Sequence, residues 1–346
     1  MRRTLTVLVA LLLVGPVACT SSNPGHVASS HSSSRVLTFP TPTPTTADPT
    51  MSDPTTSAAP TTSAPPKRKP KPKPKPSSSK PAPRGPELPR GGRRILPANR
   101  IVAYYGAPGG DQLGVLGRGT PDQAADAVER QAAKFAPFGR HIQPAMELIA
   151  TVAQGGPGAD GLYSKAISPD DIARYLDAAH RHKLLLVLDF QPGRGEFLPQ
   201  VEQDERFLLD PSVSVALDPE WKVGPEQVPA RVIGSASAAS VNAVGHYLSG
   251  LVARHHLPDK LLVVHEFTRT MLPDRDDIAR PPGLEVVLHA DGLATPAKKI
   301  TVYHQLGFPS PPFHVGFKLF YKADTGLMTP GQVMALRPQP EIVTYQ

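Results

Sequence analysis

Two carboxylates separated by one residue stand at the end of an apolar run, in residues 215–221 (VALDPEW). Asp218 and Glu220 precede the chain's only tryptophan, Trp221. In an extended strand, residues two positions apart face the same side, about 6.5 Å from each other. Such a pair suits glycoside hydrolysis, in which a protonated carboxyl donates to the leaving oxygen and an ionised one activates water or stabilises an oxocarbenium ion. We therefore predict that Asp218 and Glu220 share one site.

Polar side chains close several other apolar runs of the sequence. Asp189 and Gln191 end the run LLLVLDFQ on a common face, and Asp291 ends LEVVLHAD. In KLLVVHEF, strand alternation sends His265 and Glu266 to opposite faces, so only one of them can face a site. The predicted catalytic residues are Glu220, Asp218, Asp189 and Asp291. The predicted substrate-binding residues are Tyr105, Gln191, Trp221, His265, Lys318 and Tyr345.

Eight apolar runs between residues 95 and 346 are the elements that would position these side chains. The runs are rich in Val, Leu and Ile and lack strict polar alternation, which is typical of strands buried on both faces of a parallel sheet. They are RIVAYYG, IQPAMELIATVAQ, KLLLVLDF, VSVALDPE, KLLVVHEF, LEVVLHADG, HVGFKLFYK and EIVTYQ. Eight strands with intervening helices predict an α/β protein with a (β/α)8 TIM barrel, whose active face lies at the carboxyl ends of the strands.

Helix starts between these runs share one pattern, a Thr or Ser followed by Pro. It occurs at Thr120, Ser168, Thr295 and Thr329. The hydroxyl can cap free backbone amides while Pro occupies the first helical position, and a Gln three residues after Thr120 and Thr329 completes a capping box. Two helices are weakly indicated: after the fifth strand only DRDDIA is present, and the last helix is reduced to TPGQVMAL.

The first 94 residues carry different signals. Residues 1–18 have a basic start and a short apolar run, which predicts a signal peptide, and the sequence around Cys19 is similar to a bacterial lipoprotein signal in which that cysteine is lipidated. Residues 19–94 are rich in Pro, Ser, Thr and Lys, which predicts a disordered stalk because so little apolar surface can be buried. We expect an exported protein, anchored at the outer face of the membrane by lipid or secreted.

The net charge of +7 is unevenly distributed along the chain. Residues 1–95 hold 14 Lys or Arg against 3 Asp or Glu, leaving 23 of the 37 basic and 27 of the 30 acidic residues for the remainder. A barrel without basic excess argues against a nucleic-acid partner. The Lys-Pro stalk, if it is more than a solvated spacer, is predicted to meet anionic wall polymers or lipid headgroups.

The Asp-x-Glu at residues 218–220 resembles the acid motif of chitinase-like and muramidase-like glycoside hydrolase barrels. By that resemblance Glu220 is the general acid and Asp218 its partner, with Asp189 or Asp291 as a further carboxylate. Ser214 and Ala216 stand where the chitinase pattern has further acids, and Lys318 lies on the strand where many retaining barrels place a nucleophilic Glu. The domain also resembles uncharacterised exported proteins and lipoproteins of Gram-positive bacteria, through LDFQ, ALDPEW, ADG and FKLFYKADT.

These features predict a cell-envelope protein of glycoside-hydrolase type that acts on a wall glycan or another polysaccharide and needs no cofactor or metal. A non-catalytic glycan- or wall-binding barrel is the first alternative, and the acids could equally form a structural network that fills the barrel. A metal-dependent hydrolase built on Asp189, Asp218, His265 and Asp291, of phosphodiesterase or deacetylase type, is the second alternative.

Overall fold

A computed structural model describes residues 85–346, which form a closed barrel of eight parallel strands. Each strand pairs in parallel with its neighbours, and the first closes the barrel by pairing with both the second and the last. The barrel strands are β1 (Asn99–Gly106), β2 (His141–Ala153), β4 (Leu185–Phe190), β5 (Val213–Leu217), β6 (Lys260–Glu266), β7 (Leu284–Ala290), β8 (His314–Leu319) and β9 (Ile342–Tyr345). The (β/α)8 prediction is confirmed, and each of the eight apolar runs supplies one strand.

The side chains inside the barrel form two layers, one above the other. The lower layer, toward the amino ends of the strands, is an apolar cluster that includes Ile101, Leu185, Val263 and Val287. The upper layer, toward the carboxyl ends, is almost wholly polar. We call this end, with the loops that follow the strands, the mouth. A separate and larger apolar cluster lies between the strands and the surrounding helices, so the interior polar layer does not have to supply the main core.

Helices cover the outside of the barrel. They are α1 (Pro121–Ala133), α2 (Pro169–His182), α3 (Phe197–Gln203), α4 (Glu205–Leu208), α5 (Ala238–His255), α6 (Pro296–Leu306) and α7 (Pro330–Met334). All four predicted Thr/Ser-Pro starts cap their helices, and both predicted capping boxes are formed. Because these caps satisfy the free amides at each helix start, the strand-to-helix loops are fixed at their outgoing ends.

No α-helix connects β6 to β7, where the sequence pattern was weak. Two 3-10 turns, Arg269–Met271 and Arg275–Asp277, occupy that place. The Arg275 side chain is buried, forms an ion pair with Glu266, and donates to the carbonyls of Leu306 and Gly307 at the end of α6. One buried guanidinium thus replaces the packing that a helix gives elsewhere.

Two features of the barrel lie outside the prediction. A short strand, β3 (Ser164–Ala166), pairs antiparallel with the end of β2 and precedes α2. The segment before β1 also packs on the barrel, because Leu88, Ile95 and Leu96 belong to its lower apolar layer. Contacts with the barrel are thus also made by described residues before position 95, the predicted start of the domain.

The predicted signal peptide, the predicted lipidation at Cys19 and most of the predicted stalk lie outside the described residues. Within residues 85–346, no helix is long and apolar enough to cross a membrane.

Candidate functional site

The candidate site is the upper layer of the barrel, to which all eight barrel strands or their ends contribute a polar side chain. Register explains the convergence: Tyr105 pairs with Glu147, and His265 with His289. Within a pair of parallel strands, residues in register lie side by side, and the stagger of the tilted barrel strands brings inward residues of different strands into one layer. The layer contains Tyr105, Glu147, Asp189, Asp218, His265, His289, Asp291, Lys318 and Thr344, each at most 7% exposed.

Lys318 lies at the centre of this layer. Its Nζ donates to Asp291 Oδ2 at 2.9 Å and lies 3.6 Å from the centre of the Tyr105 ring. Burial opposes the ammonium, but the charge of Asp291 outweighs it and raises the pKa of Lys318. The same pair keeps the pKa of Asp291 well below its usual range, although burial acts in the opposite direction. Lys318 is thus a permanent cation of the barrel interior.

His265 links two carboxylates across the barrel. Its Nε2 lies 2.8 Å from Glu147 Oε1, and its Nδ1 lies 3.2 Å from Asp291 Oδ2. Burial and the charge of Lys318 favour the neutral ring, yet the two carboxylates raise the pKa of His265 well above its usual value. The bond to His265 outweighs burial at Glu147 and lowers its pKa to about 2. Thr344 donates to the second Glu147 oxygen at 2.9 Å, so Glu147 is fully used inside the network.

Asp189 has no cation of its own. The Tyr105 hydroxyl donates to its Oδ2 at 2.8 Å and accepts from Gln191 Nε2 at 3.0 Å. Its other oxygen, Oδ1, is buried and has no partner. Burial, and after it the negative charge of Asp218, raises the pKa of Asp189. A protonated Asp189 is therefore the stable form of this residue around neutral pH.

Asp218 and Glu220 lie at the outlet of β5, but not in the way that strand parity predicts. The strand ends at Leu217, and Pro219 starts a 3-10 turn that carries Glu220. The turn, rather than strand alternation, places the Glu220 carboxyl near Asp218. Glu220 is half-buried, whereas Asp218 is 2% exposed and its Oδ1 has no partner.

The protonation of this pair follows from its surroundings. Burial, followed by the negative charges of Asp218 and Asp291, raises the pKa of Glu220 to about 8. Burial also raises the pKa of Asp218, although His265 and Lys318 oppose the effect. At neutral pH, Glu220 is thus the more proton-rich member of the pair, and it is also the more exposed.

His289 fills the remaining space beside His265, with ring centres 4.9 Å apart. Neither of its nitrogens has a hydrogen-bond partner, and burial together with the charge of His265 lowers its pKa to about 3. The ring packs over Gly316, where any Cβ would overlap it. His289 is a neutral packing group in this layer.

A lysine braces the loops that carry Asp291 and Lys318. Lys299 donates to the Gly292 carbonyl at 2.6 Å and forms an ion pair with Asp324 at 3.0 Å. Asp324 in turn accepts from the Phe320 amide at 2.9 Å. The loops after β7 and β8, which follow Asp291 and Lys318 in the chain, are consequently joined to each other.

Two predicted aromatic residues have different positions. Tyr345 is not in the mouth: it faces outward, with its ring 6.4 Å from Phe135 and stacked at 5.3 Å on Tyr321. Alternation on β9 explains this, since Thr344 is the residue that points inward. Trp221 lies in the turn beside Glu220 and is half-buried, a position that suits contact with a ligand at the mouth.

The four residues of the metal alternative do not gather as a metal site. His265 and Asp291 are committed to internal ion pairs. Among the described residues of this layer, Glu147, Asp189 and His265 have potential ligand atoms within 4.8 Å of one another. Within that group, Glu147 and His265 are already bonded to each other. These contacts do not favour a metal-dependent hydrolase.

The structure therefore brings together nine of the ten predicted site residues at one end of the barrel, and it adds Glu147, His289 and Thr344. The inward direction of those that lie on strands follows from strand parity, but their partners depend on the register between distant strands. A scan against protein-family models and a search of curated proteins found no match to this chain. The barrel fold itself is compatible with an enzyme of glycoside-hydrolase type, and what the chain does must be argued from the site.

Proposed function

We propose that this protein is a glycoside hydrolase of the cell envelope that cleaves a wall glycan or another polysaccharide, with Glu220 as general acid. The observation that carries the proposal is the position of Glu220, a half-buried carboxyl in the turn at the barrel mouth that follows the buried Asp218. Burial and the negative charges of Asp218 and Asp291 raise its pKa to about 8. A carboxyl that keeps its proton at neutral pH and faces the outside can protonate a leaving group. The more buried carboxylates have no such access.

The reaction follows from these positions. The Glu220 proton moves to the glycosidic oxygen as the bond between that oxygen and the anomeric carbon breaks. The carboxylate of Asp218 accepts a hydrogen bond from the attacking water and orients it toward the anomeric carbon. Water then adds to the anomeric carbon and returns a proton to Glu220, so that one water is consumed and the acid is restored. The Lys318–Asp291–His265–Glu147 chain fixes Asp218 and Glu220 in an environment of constant charge.

The test is release of reducing ends from purified cell-wall polysaccharides by the wild-type protein and by Glu220→Gln. We expect the variant to lose about 10²- to 10⁴-fold in rate, the usual contribution of a general acid. Its stability should change little, because the amide replaces a neutral carboxyl of the same shape. Glu226→Gln, at an exposed position of the same loop, is the matched control and should retain full activity. Equal rates for wild type and Glu220→Gln would refute the assignment.

A non-catalytic glycan-binding barrel is the second candidate, and one observation favours it. Asp189, His265 and His289 are 0% exposed, so most of the polar layer is closed and its acids can serve as a structural network, which leaves the more exposed Glu220 and Trp221 for contact with a glycan. That protein would bind purified wall saturably, release no reducing ends, and bind equally well as Glu220→Gln.

A further inference from the structure

The mouth of the barrel contains more carboxyl groups than cations. Five carboxyl groups lie in or at the upper layer, those of Glu147, Asp189, Asp218, Glu220 and Asp291. Two cations serve them, and both are committed: Lys318 to Asp291 at 2.9 Å, and His265 to Glu147 at 2.8 Å and Asp291 at 3.2 Å.

Three carboxyl groups therefore have no cationic partner, those of Asp189, Asp218 and Glu220. Asp189 and Glu220 keep a proton around neutral pH, so Asp218 is the one of the three that is most readily ionised there. For two of them, Asp189 and Asp218, a buried oxygen also lacks any hydrogen-bond partner. A buried acceptor without a donor costs free energy unless a ligand supplies the donor. The nearest lysine along the chain, Lys222, is paired with Glu196 at 2.7 Å and does not serve the mouth.

From this arrangement we infer that the substrate carries its own positive charge: a glycan with a free amino group, such as a de-N-acetylated amino sugar, whose ammonium binds at Asp218. The inference rests on the proposed function, because it names the substrate class of the same site. An ammonium has three N–H donors. One can donate to the unpartnered oxygen of Asp218, and the others to acceptor oxygens of the protein around the bound sugar.

A bound metal ion fits this geometry less well than an ammonium. In the described part of the chain, the groups of three ligand residues with atoms within 4.8 Å of one another do not contain Asp218 or Glu220. One small ion could not touch all three unpaired carboxyls, whereas a sugar ring extends over several ångströms with donors at its edge.

The inferred cation is also compatible with Glu220 as the acid. A positive charge at Asp218 offsets the negative charge that keeps the proton on Glu220, and so brings that carboxyl closer to the pKa that best suits an acid at neutral pH. The same charge favours ionisation of Asp189, so binding should release protons to the buffer.

The experiment is calorimetric binding of three β-1,4-linked hexamers that differ in one substituent: those of glucosamine, N-acetylglucosamine and glucose. The full-length Glu220→Gln variant is used, so that hydrolysis does not interfere. We expect the glucosamine hexamer to bind at least about tenfold more tightly than the other two, as one charge-assisted contact allows. Titrations at pH about 5.5, where the sugar amine is already protonated, in buffers of different ionisation enthalpy should show proton release with this ligand alone.

Asp218→Asn should remove the preference for the amine, while Asp276→Asn, at a 75% exposed carboxyl of the loop after β6, should keep it. If Asp218→Asn does not fold, the buffer comparison on Glu220→Gln still decides. Equal affinity for the three hexamers, tighter binding of an uncharged one, or no binding of the glucosamine hexamer at millimolar concentration would overturn the inference.

The outcomes separate this inference from the proposed function. Hydrolysis of a neutral glycan without any preference for amines would support the proposed hydrolase and refute the inferred cationic substrate. Amine-selective binding with no hydrolysis of any glycan by the wild type would support the inferred cationic ligand and refute the proposed hydrolase.

Discussion

Replacing Lys318 by Met tests whether the upper layer is held by one buried cation. The change leaves Asp291 with His265 as its remaining partner and removes an ammonium 3.6 Å from the Tyr105 ring. Breaking a buried ion pair at one partner costs about 3–5 kcal/mol. Since about 1 kcal/mol corresponds to about 2–4 °C in a domain of this size, we expect the melting temperature to fall by about 6–20 °C.

The assay is urea unfolding followed by circular dichroism, with thermal melts in parallel. Lys322→Met is the matched control, because that lysine is 60% exposed in its ion pair with Asp111 and should change stability by less than about 1 kcal/mol. The double variant Lys318→Met/Asp291→Asn should lose about 1–3 kcal/mol less free energy of unfolding than the sum of the losses of the two single variants. A Lys318→Met protein as stable as the control, with an unchanged urea slope, would show that the layer is not organised by this charge.

Three further predictions concern other parts of the barrel. Gly316→Ala should lower the stability by about 1–3 kcal/mol in urea unfolding, because the new Cβ overlaps the His289 ring; unchanged stability would mean that the ring can move. Hydrogen bonds to Glu285 and Glu341 outweigh burial and raise the pKa of His314 to about 9, so His314→Asn should cost stability below pH about 6.5 and progressively less as the pH rises through about 9. An equal cost at pH 6 and pH 10 would contradict this. Tyr345→Phe should leave glycan binding and hydrolysis unchanged, since that ring packs outside the barrel, and a loss of binding would place it at the site after all.

The fold could be predicted because each strand is a separate apolar run and each Thr/Ser-Pro start signals its own helix. These are local patterns, readable without knowing which strands meet. The helix that is absent between β6 and β7 was also visible locally, as a polar stretch without helical periodicity. The contact that takes the place of this helix could not be predicted from the sequence, because Arg275 donates to a carbonyl at the end of α6, about 30 residues away along the chain.

The site was predicted in part for the same reason. Strand parity identified the inward faces of β4 and β7, and hence Asp189 and Asp291, whereas Lys318 was proposed only as a charged residue on its strand. Parity failed at Glu220, where the chain leaves the strand before the residue in question, so that a turn decides the direction. Tyr345 was misplaced because a four-residue strand offers little pattern from which to decide which alternate residues point inward. The pairing of His265 with Glu147 depends on tertiary register, which a single sequence does not contain.

The separation of the barrel interior into an apolar lower layer and a polar upper layer has a consequence for engineering. Substitutions that raise stability often reduce activity when both depend on the same side chains. In this barrel, the packing of Leu88, Ile95 and Leu96 against the lower layer lies at the opposite end from Asp218 and Glu220. Repacking the lower layer should therefore raise the thermal stability. The ionisation of the carboxyl groups in the mouth, and with it the working pH range, should stay unchanged.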